Sequence, residues 1–169
     1  MPKTDLPQTV FVARFQHSSY LMTSQDRGEK PSLPSPAHIL VAEDEDTTRF
    51  AISIILSAAG FQVHAAKDGA ELFASLEGLS ALGLKADLLI LDIEMEGMRG
   101  TRFLESVAAT WGFLPTVLIV GLNSRHLVAS LAVGDRTFIL SKPFDPGQLE
   151  RAVASVLARG PGSPCIDAT

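Results

Sequence analysis

Four consecutive acids, Glu43, Asp44, Glu45 and Asp46, follow the apolar run "HILVA". A lone acid, Asp92, closes a second run, "DLLILD", and Lys142 follows a third, "TFILS". Like charges at the mouth of a buried strand repel: at about 4 Å and an effective dielectric near 20, one pair costs roughly 4 kcal/mol. A hard divalent cation removes that cost. Mg²⁺ takes one or two carboxylates, keeps several waters and accepts a phosphate oxygen. A lysine ammonium nearby suits a phosphoryl group. Together these groups point to phosphoryl transfer onto a carboxylate nucleophile. Asp92, alone at its strand end, is the candidate nucleophile, and Asp44 with Glu43 the candidate cation holder. Glu45 and Asp46 are expected to lead into and cap the following helix.

This chemistry requires residues far apart in sequence to meet, so the elements carrying them matter. From His38 onward, apolar runs alternate with helical periodicity. "HILVAE", "FQVHAA", "ADLLILD", "PTVLIVGL" and "TFILS" read as strands. Helices are expected over "DTTRFAISIILSAAG", "DGAELFASLEGL", "GTRFLESVAATWG", "SRHLVASLAVG" and "DPGQLERAVASVLARG". In the first helix, Phe50, Ile54 and Ala58 with Ala51 and Ile55 are expected to face the core, and Gly60 to stop it. In the third, Phe103, Leu104, Val107 and Trp111 point inward. The last opens with Asp145, Pro146 and Gln148, a capping box with proline at its first position, and buries Leu149, Val153, Val156 and Leu157. Strands this apolar imply a parallel α/β sheet covered by helices on both faces. In such open sheets the site lies beyond the carboxyl ends of the strands. Glu43–Asp44, Asp92, Val120–Gly121 and Ser141–Lys142 are therefore expected along one edge.

These residues resemble the receiver domain of two-component response regulators. The resemblance runs from His38 to Leu157 and is carried by "ILVAEDE", "GFQVHAAKDGAEL", "ADLLILDIEMEGMRG" and "FILSKPF", in the family's order and at close to its spacing. It implies a doubly wound, flavodoxin-like five-stranded parallel sheet in the order 2-1-3-4-5. It implies transfer of a phosphoryl group from a histidine kinase or histidine phosphotransfer protein to Asp92. Mg²⁺ (or Mn²⁺) would be held by Asp44, Asp92 and the backbone carbonyl of Glu94, with Glu43 assisting through water. Lys142 would contact the phosphoryl group, ahead of a cis Lys142–Pro143 bond.

The sequence departs from the family's pattern in the relay. A Thr or Ser usual at the end of the fourth strand is replaced by Val120 or Gly121, neither of which has a hydroxyl. Ser124 follows three residues later and reads as a helix N-cap. The switch aromatic usual three residues before the lysine is Ile139, with Phe138 one earlier. A bulge in the fifth strand is the device that would bring Phe138 to the switch face. Glu96 stands where a proline is usual. Glu94 has two readings: a side chain over the site that orients water and sets aspartyl-phosphate lifetime, or a solvated loop acid.

Composition bounds the alternatives. The chain has 169 residues, 46% hydrophobic and 20% charged, with a net charge of −5. That is ample for one core and unsuited to a nucleic-acid footprint. The apolar runs are too short for a membrane span or signal-peptide core, and Cys165 has no partner, so a cytoplasmic protein is expected. His38, His64 and His126 share no ligand spacing, Arg99 and Arg102 read as a solvated face, and no Walker loop is present. Residues 38–158 are expected to form the domain. Residues 1–37, with "RGEKPSLPSPA", read as a flexible extension or linker in which "TVFVARF" lacks a neighbour to pair with and Met22 offers another start. Residues 159–169 read as a short tail, leaving no output domain. A stand-alone receiver is then expected, not a dedicated enzyme, which catalyses its own phosphorylation and dephosphorylation. It would signal through the face of the fourth helix, fifth strand and fifth helix, with a homodimer possible. The alternative is a pseudo-receiver, an interaction module not switched by phosphate. A Mg²⁺-dependent phosphatase is disfavoured because its D-x-D-x-T motif belongs on the first strand.

Overall fold

Leu88–Asp92, five residues without one exposed side chain, form the middle strand of a five-stranded parallel sheet. The computed structural model describes residues 11–15, 18–22, 35–95, 101–124 and 136–158. It divides into two units, Met1–Ser35 and Pro36–Thr169. In the first, β1 (Phe11–Phe15) pairs antiparallel with β2 (Ser18–Met22). The "FVARF" segment thus has the sequence neighbour that it was expected to lack.

In the second unit the strands are β3 (His38–Ala42), β4 (Gln62–Ala66), β5 (Leu88–Asp92), β6 (Thr116–Val120) and β7 (Thr137–Ser141). Their spatial order is β4-β3-β5-β6-β7, which is 2-1-3-4-5 counted from His38. The helices are α1 (Asp46–Ala58), α2 (Gly69–Ala81), α3 (Thr101–Trp111) and α4 (Pro146–Ala158). A 3₁₀ turn, Leu122–Ser124, follows β6. The helix expected over 124–134 lies outside the described residues beyond Ser124, as do Glu96, Arg99, His126 and the tail 159–169; the Arg102 side chain is likewise undescribed.

Alternation along the strands divides the core. Leu40, Leu89, Leu91, Leu118 and Val120 pack with α2 and α3, whereas Ile39, Val41, Ile90, Val117 and Ile119 pack with α1 and α4. Strands buried on both faces by hydrophobic packing need helices on both, and get them. The inward stripes of α3 and α4 are as expected: Val107 is buried with Phe103, Leu104 and Trp111 packed about it, and Leu149, Val153 and Val156 are buried with Leu157 beside them.

The stripe of α1 is different. Ile52 and Leu56 are buried, while Phe50 is 67% and Ile54 52% exposed. This helix is apolar around most of its circumference, so the sequence offers two stripes at helical spacing, and packing against β3 and α4 selects one. Gly60 ends α1 at φ 92°, a conformation that suits glycine, with its N–H donating to the Ser57 carbonyl at 3.0 Å and Phe61 N–H to Leu56 at 3.1 Å. The α4 capping box closes as expected: Gln148 N–H donates to Asp145 Oδ1 and Asp145 N–H to Gln148 Oε1, both at 2.8 Å.

The β6–β7 ladder runs unbroken from Thr116↔Thr137 to Val120↔Ser141. The expected bulge does not form, because every β7 residue has a partner in register. Phe138 therefore packs on the α1/α4 face and Ile139 on the α2/α3 face.

Candidate functional site

β3 and β5 lie side by side in parallel, so Glu43 and Asp92 leave the sheet at adjacent carboxyl ends. Glu43 N–H still donates to the Ala66 carbonyl at 3.1 Å, extending the ladder one residue past β3. Glu43 and Asp92 are both buried, at 0% and 2% exposure. Lys142 N–H donates to the Val120 carbonyl at 2.8 Å, which fixes its backbone beside β6. Its Nζ reaches across to lie 2.7 Å from Asp92 Oδ2 and 2.9 Å from Glu43 Oε2. The repulsion between the two buried acids, Glu43 and Asp92, is thus relieved by this ammonium. The Lys142–Pro143 bond is cis.

Burial raises the Glu43 carboxyl above the usual range; the Lys142 hydrogen bond opposes this and the Asp92 charge adds to it. Burial works against the Lys142 ammonium, but hydrogen bonds to Asp92 and Glu43 outweigh it and hold the lysine above its usual range. The other oxygen of Asp92, Oδ1, accepts the N–H of Glu94 at 2.8 Å.

Ligand oxygens of Glu43, Asp44 and Asp92 all lie within 4.8 Å of one another, with Asp44 exposed at the rim. An all-carboxylate set of this size, open to water on one side, fits a hard divalent cation. Glu45 occupies the N-cap of α1 but makes no cap hydrogen bond with its side chain, which accepts from Thr48 Oγ1 at 2.7 Å. Asp46 stands in the first helical turn, where the dipole favours it, and pairs with Arg49.

Arg49 went unnoticed in the sequence. Its Nη1 donates to the Glu43 carbonyl at 2.9 Å and the Asp44 carbonyl at 3.3 Å, bracing the acidic turn. Its spacing of three from Asp46, one helical turn, was the available signal.

At the end of β6 the two candidate positions separate. Val120 is the last strand residue and belongs to the core. Gly121 is the first residue beyond it and faces Glu94. A Cβ at residue 121 would meet Glu94 Oε2 at 2.6 Å and Oε1 at 2.8 Å. Ser124 Oγ donates to Glu94 Oε1, so Ser124 sits in the 3₁₀ turn as a partner of Glu94. The Glu94 carboxylate is directed at the β6 loop.

Geometry of this kind has counterparts. A response regulator receiver domain matches residues 39–154. The chain belongs to that family. The receiver is 31% identical over 131 residues to Protein PetR of Rhodobacter capsulatus, covering 75% of this chain and 51% of PetR. It is 30% identical over 122 residues to the aerobic respiration control protein ArcA of Escherichia coli, covering 72% of this chain and 49% of ArcA. The chain spans about half the length of these relatives. Among solved structures, a response regulator receiver protein from Sinorhizobium medicae is 31% identical, with a TM-score of 0.60 over 72% of this chain and 94% of its own. No helix among the described residues of the receiver is long and apolar enough to cross a membrane.

Proposed function

We propose that this receiver takes a phosphoryl group onto Asp92 from a phosphohistidine of a histidine kinase or histidine phosphotransfer protein. The observation that carries this reading is the setting of Asp92: a buried carboxylate held by Lys142 on one oxygen and by the Glu94 N–H on the other. A carboxylate oxygen of Asp92 attacks phosphorus and the P–N bond breaks. Its electron pair leaves with the imidazole, which takes up a proton. Asp44, Asp92 and the Glu94 backbone carbonyl would hold Mg²⁺ or Mn²⁺, with Glu43 acting through water. That ion would neutralise charge on the phosphoryl oxygens. Lys142 would exchange its hydrogen bond to Asp92 for one to a phosphoryl oxygen, so that the receiver's own groups catalyse the transfer.

The donor must cover the mouth of the site. Beside it a mainly apolar cleft of about 550 Å³, between α1 and the turn after β7, is lined by Ile55, Leu122 and Phe144 with Lys142. Exposed Phe50 and Ile54 stand on α1 nearby. Output through the face of segment 124–134, β7 and α4, and a cytoplasmic setting, complete this reading.

The second reading is a pseudo-receiver, and Gly121 favours it, because no hydroxyl is present there to bind a phosphoryl oxygen. Acetyl phosphate with Mg²⁺ separates the two. A mass gain of one phosphoryl group in the wild type, absent in Asp92→Asn, is the expected result. An unmodified wild type would establish the pseudo-receiver.

A further inference from the structure

A second cleft, of about 620 Å³, opens at the opposite edge of the sheet. Its walls come from the residues just ahead of β5, β6 and β7: Lys85 and Asp87, Phe113, and Arg136, with Trp111 from the end of α3 and Leu79 from α2. These precede the strands whose carboxyl ends carry Asp92, Gly121 and Lys142, so the cleft is separated from the phosphorylation site by the length of the sheet.

Its charges are uneven. Asp87 is engaged, since its Oδ2 accepts the His38 N–H at 2.7 Å. The Arg136 carbonyl accepts the Thr116 N–H at 3.0 Å, which fixes its backbone beside β6. Its Nε is buried and has no hydrogen-bond partner among the described residues. A buried guanidinium N–H without an acceptor is unfavourable, and native structures rarely leave one so. Lys85 adds a second cation at the exposed rim. The rest mixes Ser80 and Thr110 with apolar side chains: Leu79 is buried, the Trp111 ring stands 5.4 Å from Phe73, and Phe113 is 53% exposed.

We propose that this cleft binds a small amphipathic anion, with its acid group on Arg136 and Lys85 and its apolar body against Trp111, Phe113 and Leu79. The volume lies within the range of small-molecule sites, and an aromatic wall beside convergent polar groups is what an amphipathic ligand needs. An arginine accepts carboxylate or phosphate equally well in geometry, so the acid group is left to experiment. The site would give the receiver an input independent of phosphoryl transfer.

Trp111 is the chain's single tryptophan, so its emission reports on this cleft directly. The full chain is titrated with hexanoate, hexyl phosphate and hexanol, none of which absorbs where tryptophan is excited. A saturable change with at least one anion and none with hexanol is expected, and the better anion identifies the acid group. Arg136→Gln should weaken that anion about tenfold or more, as loss of a charged hydrogen bond does. Lys85→Gln, at an exposed position, should weaken it less and carries the comparison if Arg136→Gln does not fold. No saturable change with either anion, hexanol binding as well as the anions, or unchanged anion binding in the folded variants would each overturn the proposal.

Discussion

The carboxylate of Glu94 stands where a side chain on residue 121 would project, 2.6 Å from the place of its Cβ. Gly121 is therefore matched to Glu94 across the mouth of the site, and Ser124 holds the same carboxylate from the 3₁₀ turn. The loops after β5 and β6 are joined by this contact.

Gly121→Thr should then displace the exposed Glu94 carboxylate and break the Glu94–Ser124 bond, at a cost of no more than about 1 kcal/mol because a flexible side chain can swing aside. Combined with Glu94→Ala, the threonine should be tolerated. Urea melts of the two single variants and the double give the coupling. Additivity to within about 0.5 kcal/mol would mean the two residues do not meet.

The Asp92 phosphoryl group would add nearly two negative charges, yet no hydroxyl at residue 121 reads them. Backbone shifts across residues 120–140 on beryllofluoride binding are expected to be smaller than in receivers with a threonine there, because fewer groups favour the switched state. Amide chemical shifts measure this, and shifts of full size would count against it. Dephosphorylation of Glu94→Ala tests the same carboxylate kinetically: a changed lifetime is expected if it orients water.

Lys142 is the cation that keeps Glu43 and Asp92 buried together. Removing one partner of a buried pair costs roughly 3–5 kcal/mol, and less where water reaches the gap. Lys142→Met in EDTA should approach the lower end of that range, since its side chain is 27% exposed. Mg²⁺ should restore more stability to this variant than to the wild type, by the usual linkage of binding to folding. Denaturant titrations with and without the ion check both statements.

His38 Nδ1 and His64 Nε2 meet at 3.0 Å on β3 and β4. Burial, then the neighbouring His38, hold His64 below the usual histidine range. The unfolded chain therefore takes up the proton first, near pH 6.5. The contribution of His64 to stability is present above that pH and is lost as pH falls through its lower folded value. Thermal melts between about pH 7.5 and 5.5 should show this decline, and His64→Gln should flatten it.

Much of the domain was legible in the sequence because its signals are local. Short apolar runs ending in Asp44, Asp92 and Lys142 identify strands and their carboxyl ends, and the parallel-sheet rule brings those ends together. The capping box of Asp145 and Gln148 and the stop at Gly60 need only neighbouring residues. The family match follows from the same motifs.

What the tertiary structure decided depends on contacts between segments. The sequence of α1 supports two apolar stripes, and only packing chooses Ile52 and Leu56 over Phe50 and Ile54. The register of β7 is set by its ladder with β6, which leaves Phe138 and Ile139 on opposite faces without a bulge. The glycine that reads as a missing hydroxyl is a space filled by Glu94, 27 residues earlier in the chain. No local pattern encodes that, since a side chain's free volume is fixed by whatever the fold places opposite it.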